Sequence, residues 1–210
     1  MLSRKAWRTI TLPLLLAVAI GLLASAGCGD GPDTAKGKSF AKADPVIASG
    51  KQYTATIKTS KGDIVVQLYA DQAPLTVNSF VFLAKAGYFD GLIFHRVVKG
   101  FVIQTGDPTG SGNGGPGYTT KDEPNQLTNK RGTLAMAKTS GSSEFGSQFF
   151  INLTNNTALD YNNPTANKFY PFGEVTSGMD VVDAIANSPV SNGDRPTTPI
   201  TITTVSIAEK

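Results

Sequence analysis

One cysteine, one histidine and little imbalance of charge set the first limits on this chain of 210 residues. The lone cysteine, Cys28, cannot close an intrachain disulfide, so stability must come from a packed core. The lone histidine, His95, has no cysteine to partner it inside the domain and no recognisable nucleophile motif beside it, which points to a structural role rather than acid–base work. There is no Cys/His cluster, no His-Glu-x-x-His run and no Asp-rich calcium loop, so no metal and no cofactor is expected. No internal repeat occurs.

The formal charge of +3 belongs to the whole chain and misleads. Three of the 19 Lys and Arg residues, Arg4, Lys5 and Arg8, precede Cys28 and all 16 acidic residues follow it, which leaves 16 of each sign in the remainder. With no basic excess and no basic-aromatic interleaving, the electrostatic term that drives nucleic-acid binding is missing. Nucleic acid is set aside as a partner.

What is present begins with those three basic residues and an apolar run from Ile10 to Ala26 that closes in small residues, the pattern of a signal peptide over residues 1–27. Thr11 and Pro13 break the run, which falls short of the ~20 apolar residues of a spanning helix; an uncleaved anchor is the alternative. Ser25-Ala26-Gly27-Cys28 resembles a bacterial lipobox, with serine where leucine is usual. The resemblance implies a lipid on Cys28 and a protein held outside the cytoplasm on a bacterial membrane. Ordinary secretory cleavage after Ala26 is the alternative. Residues 28–51 carry Gly, Lys, Asp, Ala and Ser without apolar periodicity and read as a flexible linker, with a reach of roughly 25 Å by coil scaling. The domain proper is placed at 52–210.

From Tyr53 the pattern sharpens. Tyr53, Ala55 and Ile57 alternate with polar residues, Ser60-Lys61-Gly62-Asp63 supplies a turn, and Ile64 to Tyr69 is β-branched and apolar, which predicts a hairpin. Pro74 opens a helix with Val77, Phe80, Val81 and Ala84 on one stripe and Gly87 at its end. Strands are expected over Leu92–Val98, Phe101–Gln104, Gly132–Ala137 and Gln148–Leu153, a second helix over Met179–Ala186, and a last strand over Ile200–Ile207. Gly110 to Gly115 evokes a phosphate-binding loop, but Pro116-Gly117-Tyr118 follows it instead of a helix, so it reads as a surface loop. Many short antiparallel strands with two isolated helices make a mostly β fold: a barrel whose ends the helices cover, rather than a parallel βαβ sheet.

Arg96 stands in an otherwise apolar strand, where a planar and permanently charged donor must find a partner or face a cleft. A rim salt bridge is the plain reading. Its company adds to this. Phe94-His95-Arg96-Val97, Gly100-Phe101, Gln104 with Gly106-Asp107, Gly132-Thr133-Leu134-Ala135-Met136-Ala137 and Gly146-Ser147-Gln148-Phe149-Phe150-Ile151 together resemble the cyclophilin family of peptidyl-prolyl isomerases, from about Tyr53 to the C-terminus.

The resemblance implies a closed eight-stranded antiparallel barrel capped by two α-helices, acting as a monomer on proline-containing unfolded or flexible polypeptides. Arg96 takes the place of the family's catalytic arginine. Phe101, Gln104 and Phe150 match pocket residues, and Val102 stands where methionine is common. Ala137 and Lys138 fall on the segment whose backbone pairs with bound peptide. Leu159 is retained, Ala158 replaces an aromatic residue, and Phe169 takes the place of a pocket histidine. The missing ring at Ala158 implies weak binding of cyclosporin-type inhibitors. The implied function is rotation of Xaa-Pro bonds in exported proteins; the alternative is a module that binds proline segments without catalysis.

Overall fold

The computed structural model describes residues 38–164 and 168–210. The expected signal peptide, Cys28 and the linker up to residue 37 lie outside the described residues. β1 (Tyr53–Thr59) and β2 (Gly62–Leu68) form the predicted hairpin, and α1 (Pro74–Lys85) follows it. Then come β3 (Arg96–Val98), β4 (Val102–Thr105), β5 (Thr120–Lys121), β6 (Thr133–Met136), β7 (Glu144–Phe145), β8 (Phe149–Asn152) and β9 (Pro171–Ser177). α2 (Met179–Ala186) and β10 (Ile202–Glu209) complete the chain.

Eight strands form one antiparallel sheet in the order β10-β1-β2-β9-β6-β8-β4-β3, and β5 pairs with β7 as a separate ribbon. The sheet curls around its core but its ladder does not close. The outermost strands are β10 and β3, and the seam between them holds an Ile93–Thr201 bridge with the Phe94 amide donating to the Ile200 carbonyl at 2.9 Å. The expected closed barrel is therefore a half-barrel. The reason is local: β3 has 3 residues and cannot run alongside the 8 of β10. Its free edge is covered instead by a loop, because the Val97 amide donates to the Asp194 carbonyl at 2.7 Å.

Period-two alternation sends Tyr53, Ala55 and Ile57 of β1 and Ile64, Val66 and Leu68 of β2 inward. Phe80, Phe89, Phe149 and Phe172 meet at the centre with ring centroids 5.2 to 5.6 Å apart. Such ring pairs add ~0.5–1.5 kcal/mol each beyond burial. α1 begins at Pro74, whose fixed φ suits a first helical position. Ala73 offers no capping side chain, so the Glu123 carboxylate serves from 47 to 48 residues away, accepting from the Leu75 and Thr76 amides and the Thr76 hydroxyl at 3.0 Å each. An anion there also suits the helix dipole.

The described part of the expected linker is not loose. Residues 38–51 lie against α1, with the Val46 and Ile47 amides donating to Asn78 Oδ1 at 2.8 and 3.3 Å. Asn78 Nδ2 donates back to the Asp44 carbonyl at 3.0 Å, and the Ala48 amide donates to the Tyr53 hydroxyl at 2.8 Å. Phe40, Val46 and Ile47 pack on the main core. Three large apolar residues spaced irregularly among small and polar ones show no period, which is why the composition reads as a stalk.

Candidate active site

β3, β4, β6 and β8 carry apolar residues on both faces. Val97, Ile103, Leu134, Met136, Phe149 and Ile151 enter the main core, while Val102, Ala135 and Phe150 form a second, smaller cluster on the outer face. The register sets Arg96 opposite Gln104, Gln104 opposite Phe150 and Phe150 opposite Ala135, so one row crosses four strands. Phe101, Ala137, Leu159 and Phe169, all half-buried, ring the small cluster. The result is an open groove of about 970 Å³. Arg96, Phe101, Val102, Gln104, Ala137, Lys138, Phe150, Leu159 and Phe169, the predicted site residues of the domain, all line it.

The arginine sits at the rim with 41% of its side chain exposed, and its Nε lies 3.7 Å from Asp194 Oδ2, on a side chain itself 46% exposed. That separation exceeds a hydrogen bond and the pair is screened by water, so the guanidinium is not locked by the carboxylate. Gln104 Nε2 donates to Gln148 Oε1 at 3.0 Å, and Gln148 Nε2 donates to the carbonyls of Gly112 and Gly114 at 3.0 and 2.9 Å. Gln148 thus joins the floor of the groove to the Gly-rich loop that forms its wall.

That loop is organised from below by Asp107, which is 1% exposed. Its carboxylate accepts from the Thr109 amide at 2.7 Å, the Thr109 hydroxyl at 2.8 Å and the Gly112 amide. Burial alone would raise the Asp107 pKa; the hydrogen bonds from Thr109, Gly114 and Gly112 outweigh it and hold the group below its ordinary 3.8. On the opposite flank the Phe169 amide donates to the Leu159 carbonyl at 2.9 Å, and its ring meets Phe150 edge-on at 5.6 Å. Ala158 is exposed and brings no ring of its own to that flank.

A match to the family model for cyclophilin type peptidyl-prolyl cis-trans isomerases spans residues 54–207. The chain belongs to this family. Among curated relatives of this cyclophilin, the probable peptidyl-prolyl cis-trans isomerase A of Mycobacterium leprae is 40% identical over 174 residues, covering 74% of this chain and 92% of the relative. Peptidyl-prolyl cis-trans isomerase A of Mycobacterium tuberculosis is 39% identical over the same length, with the same two coverages, 74% and 92%. A crystal structure of a cyclophilin type isomerase from Cryptosporidium parvum superposes with a TM-score of 0.69 at 32% identity, over 75% of this chain and 98% of that one. A second structure of that protein, in the presence of the dipeptide Ala-Pro, gives 0.68 at 33% identity, over 74% and 98%.

Two features of this cyclophilin's groove escape sequence reasoning. The first is the Lys138 side chain, which reading by resemblance treats only as backbone. It is 7% exposed, forms an ion pair with Asp122, and places Nζ 5.4 Å from the Phe169 ring centroid and 5.7 Å from that of Tyr170. A desolvated cation over two rings fixes the wall they belong to. The second is that the Ala137 amide donates to the Gln148 carbonyl at 2.8 Å, so a bound peptide cannot use that amide.

His95, beside the catalytic candidate, is 7% exposed, and neither ring nitrogen meets hydrogen-bond geometry. Burial pushes its pKa below 6.5, opposed by the nearby Asp107 carboxylate and assisted by the charges of Arg195 and Arg96, while the Gln148 amide favours the charged form only weakly. The unfolded chain then takes up a proton that the folded chain refuses. This contribution to stability is present above pH 6.5 and is lost as pH falls from there toward the lower folded-state value. His95→Phe is expected to flatten the stability–pH slope just below pH 6.5, as read by urea unfolding at a series of pH values. An unchanged slope would contradict a buried neutral imidazole, since no other histidine is present.

Proposed function

We propose that this cyclophilin speeds rotation about Xaa-Pro bonds in exported polypeptides, with Arg96 as the agent that stabilises the twisted imide. The observation that carries the reading is the row of Arg96, Gln104 and Phe150 across three adjacent strands beside an outward-facing apolar cup.

An Xaa-Pro bond prefers trans by only ~0.5–1 kcal/mol, yet interconversion crosses ~18–20 kcal/mol because twisting breaks amide resonance. As the bond twists, the proline nitrogen becomes pyramidal and regains a lone pair. A guanidinium N–H aimed at that lone pair stabilises the transition state more than either planar isomer. Phe101, Val102, Phe150, Leu159 and Phe169 supply an apolar seat for the pyrrolidine ring. Gln104, fixed by Gln148, is placed to hold a neighbouring peptide carbonyl or amide, so that one side of the bond is clamped while the other turns. No proton moves and no covalent bond forms, which suits a buried, neutral His95.

Proline-containing, unfolded or flexible polypeptides are the substrates this seat fits, and the Ala-Pro dipeptide in the Cryptosporidium structure supports that class. The basic and apolar leader with Ser25-Ala26-Gly27-Cys28 supports export, a lipid on Cys28 and a place on the outside of a bacterial membrane. Intact mass of the membrane-extracted protein tests the anchor: a chain starting at Cys28 with added acyl mass is expected, and a chain starting at Gly27 without it would contradict it. The exposed Ala158, which supplies no ring where the family resemblance implies an aromatic residue, favours a second reading as a proline-binding module. Exchange NMR on an Xaa-Pro peptide separates the two: the isomerase speeds cis–trans exchange, whereas the module binds peptide and leaves the exchange rate at its uncatalysed value.

A further inference from the structure

Residues 38–51 precede the span matched by the family model, 54–207, and yet they touch Pro116 and Gly117, which line the groove. We propose that this segment is a strap that fixes the shape of the groove's glycine-rich wall, with Phe40 as its positioning residue. The inference rests on the reading of the groove as the peptide site.

The strap meets the wall through backbone. The Phe40 amide donates to the Pro116 carbonyl at 2.8 Å, and the Phe40 ring packs edge-on against Phe82 of α1 at 5.1 Å and tilted against Tyr88 at 6.3 Å. Lys38 Nζ donates to the Ala86 carbonyl at the end of α1, 3.1 Å away. Gly117, with φ of +92°, passes so close that a Cβ there would collide with Ser39 Oγ and lie 2.8 Å from the Phe40 carbonyl oxygen. A side chain at 117 is therefore excluded by the strap as well as by the backbone angle.

From Pro116 the contacts run on into the site. A Cβ on Gly146 would lie 3.1 Å from Pro116 Cδ, and Gly146 leads through Ser147 to Gln148, which bonds Gly112, Gly114 and Gln104. Tyr118 is tied to α1 by a 2.8 Å hydrogen bond between its hydroxyl and that of Ser79. The wall is thus gripped by Gln148 on its inner side and by the strap and α1 on its outer side. Glycine-rich backbone has little preference of its own for one shape, so the grip decides the shape. A displacement of the wall on the order of 1 Å is enough to spoil peptide placement.

The test uses the full chain carrying Phe40→Ala, with Phe40→Leu as the variant that keeps apolar bulk. Phe40→Ala is expected to raise KM for a proline peptide by about threefold or more with kcat within about twofold. Amide hydrogen exchange of residues 112–119 should quicken by about tenfold or more while that of β1 and β2 stays as in the parent chain, and Phe40→Leu should restore most of both. Unchanged KM together with unchanged exchange at 112–119, even with a lower Tm, would overturn the inference and leave the strap as a stabilising element alone. Should the parent chain show no turnover, the peptide-site reading fails; the exchange comparison still decides whether the strap sets the wall.

Discussion

Arg96→Ala is expected to lower kcat/KM for a proline peptide by about 100-fold or more, the effect of removing a donor aimed at charge that develops only in the transition state. The fold should persist. The side chain is 41% exposed and its contact with Asp194 spans 3.7 Å, so its loss removes a screened pair of small value to stability. Arg96→Lys keeps the charge but loses the planar fork of donors, and turnover between the parent and the alanine variant is expected. A protease-coupled assay measures both. Turnover of Arg96→Ala within about twofold of the parent would remove Arg96 from the mechanism.

Asp107→Ala is expected to destabilise the protein by about 2–3 kcal/mol, because the Thr109, Gly112 and Gly114 amides lose the buried charged acceptor they share. The carboxylate holds Thr109, Gly112 and Gly114 at once, and those residues lead into the wall of the groove. Turnover should fall with stability. The pH dependence has a definite sign. With the folded-state pKa held below 3.8, the contribution of Asp107 is fully present above the unfolded value and is lost as pH falls through the folded one. Urea unfolding at neutral pH and again below pH 3.8 should therefore show the parent and variant far apart in the first case and drawn together in the second. Equal stability at neutral pH would show that the loop stands without this carboxylate.

The elements with a clean period were legible in the sequence. The β1–β2 hairpin, α1 and α2 follow from alternation and from the stripes of Val77, Phe80 and Val81 and of Val182 and Ile185. The groove residues were legible through ordered motifs, and the register accounts for this: the motif strands β3, β4, β8 and β6 are direct neighbours in the sheet. What stayed hidden depends on distant partners. β5 and β7 have 2 residues each, too few to show a period. The strap has three large apolar residues without regular spacing. The Lys138 side chain is held by Asp122, and Gln148 by the carbonyls of Gly112 and Gly114, none of which any local pattern announces. The open seam between β3 and β10 depends on how far a three-residue strand can reach around the curl.

Arg96 is proposed to act on the rotating bond and not on the affinity for peptide. Two-dimensional exchange NMR on an Xaa-Pro peptide, at concentrations that saturate both proteins, addresses it most directly. The parent chain should interconvert the bound isomers quickly, and Arg96→Ala should bind the peptide with similar shift changes along the groove while exchange slows by the same factor as turnover. Equal exchange rates on the two proteins, or a loss explained wholly by weaker binding, would contradict it.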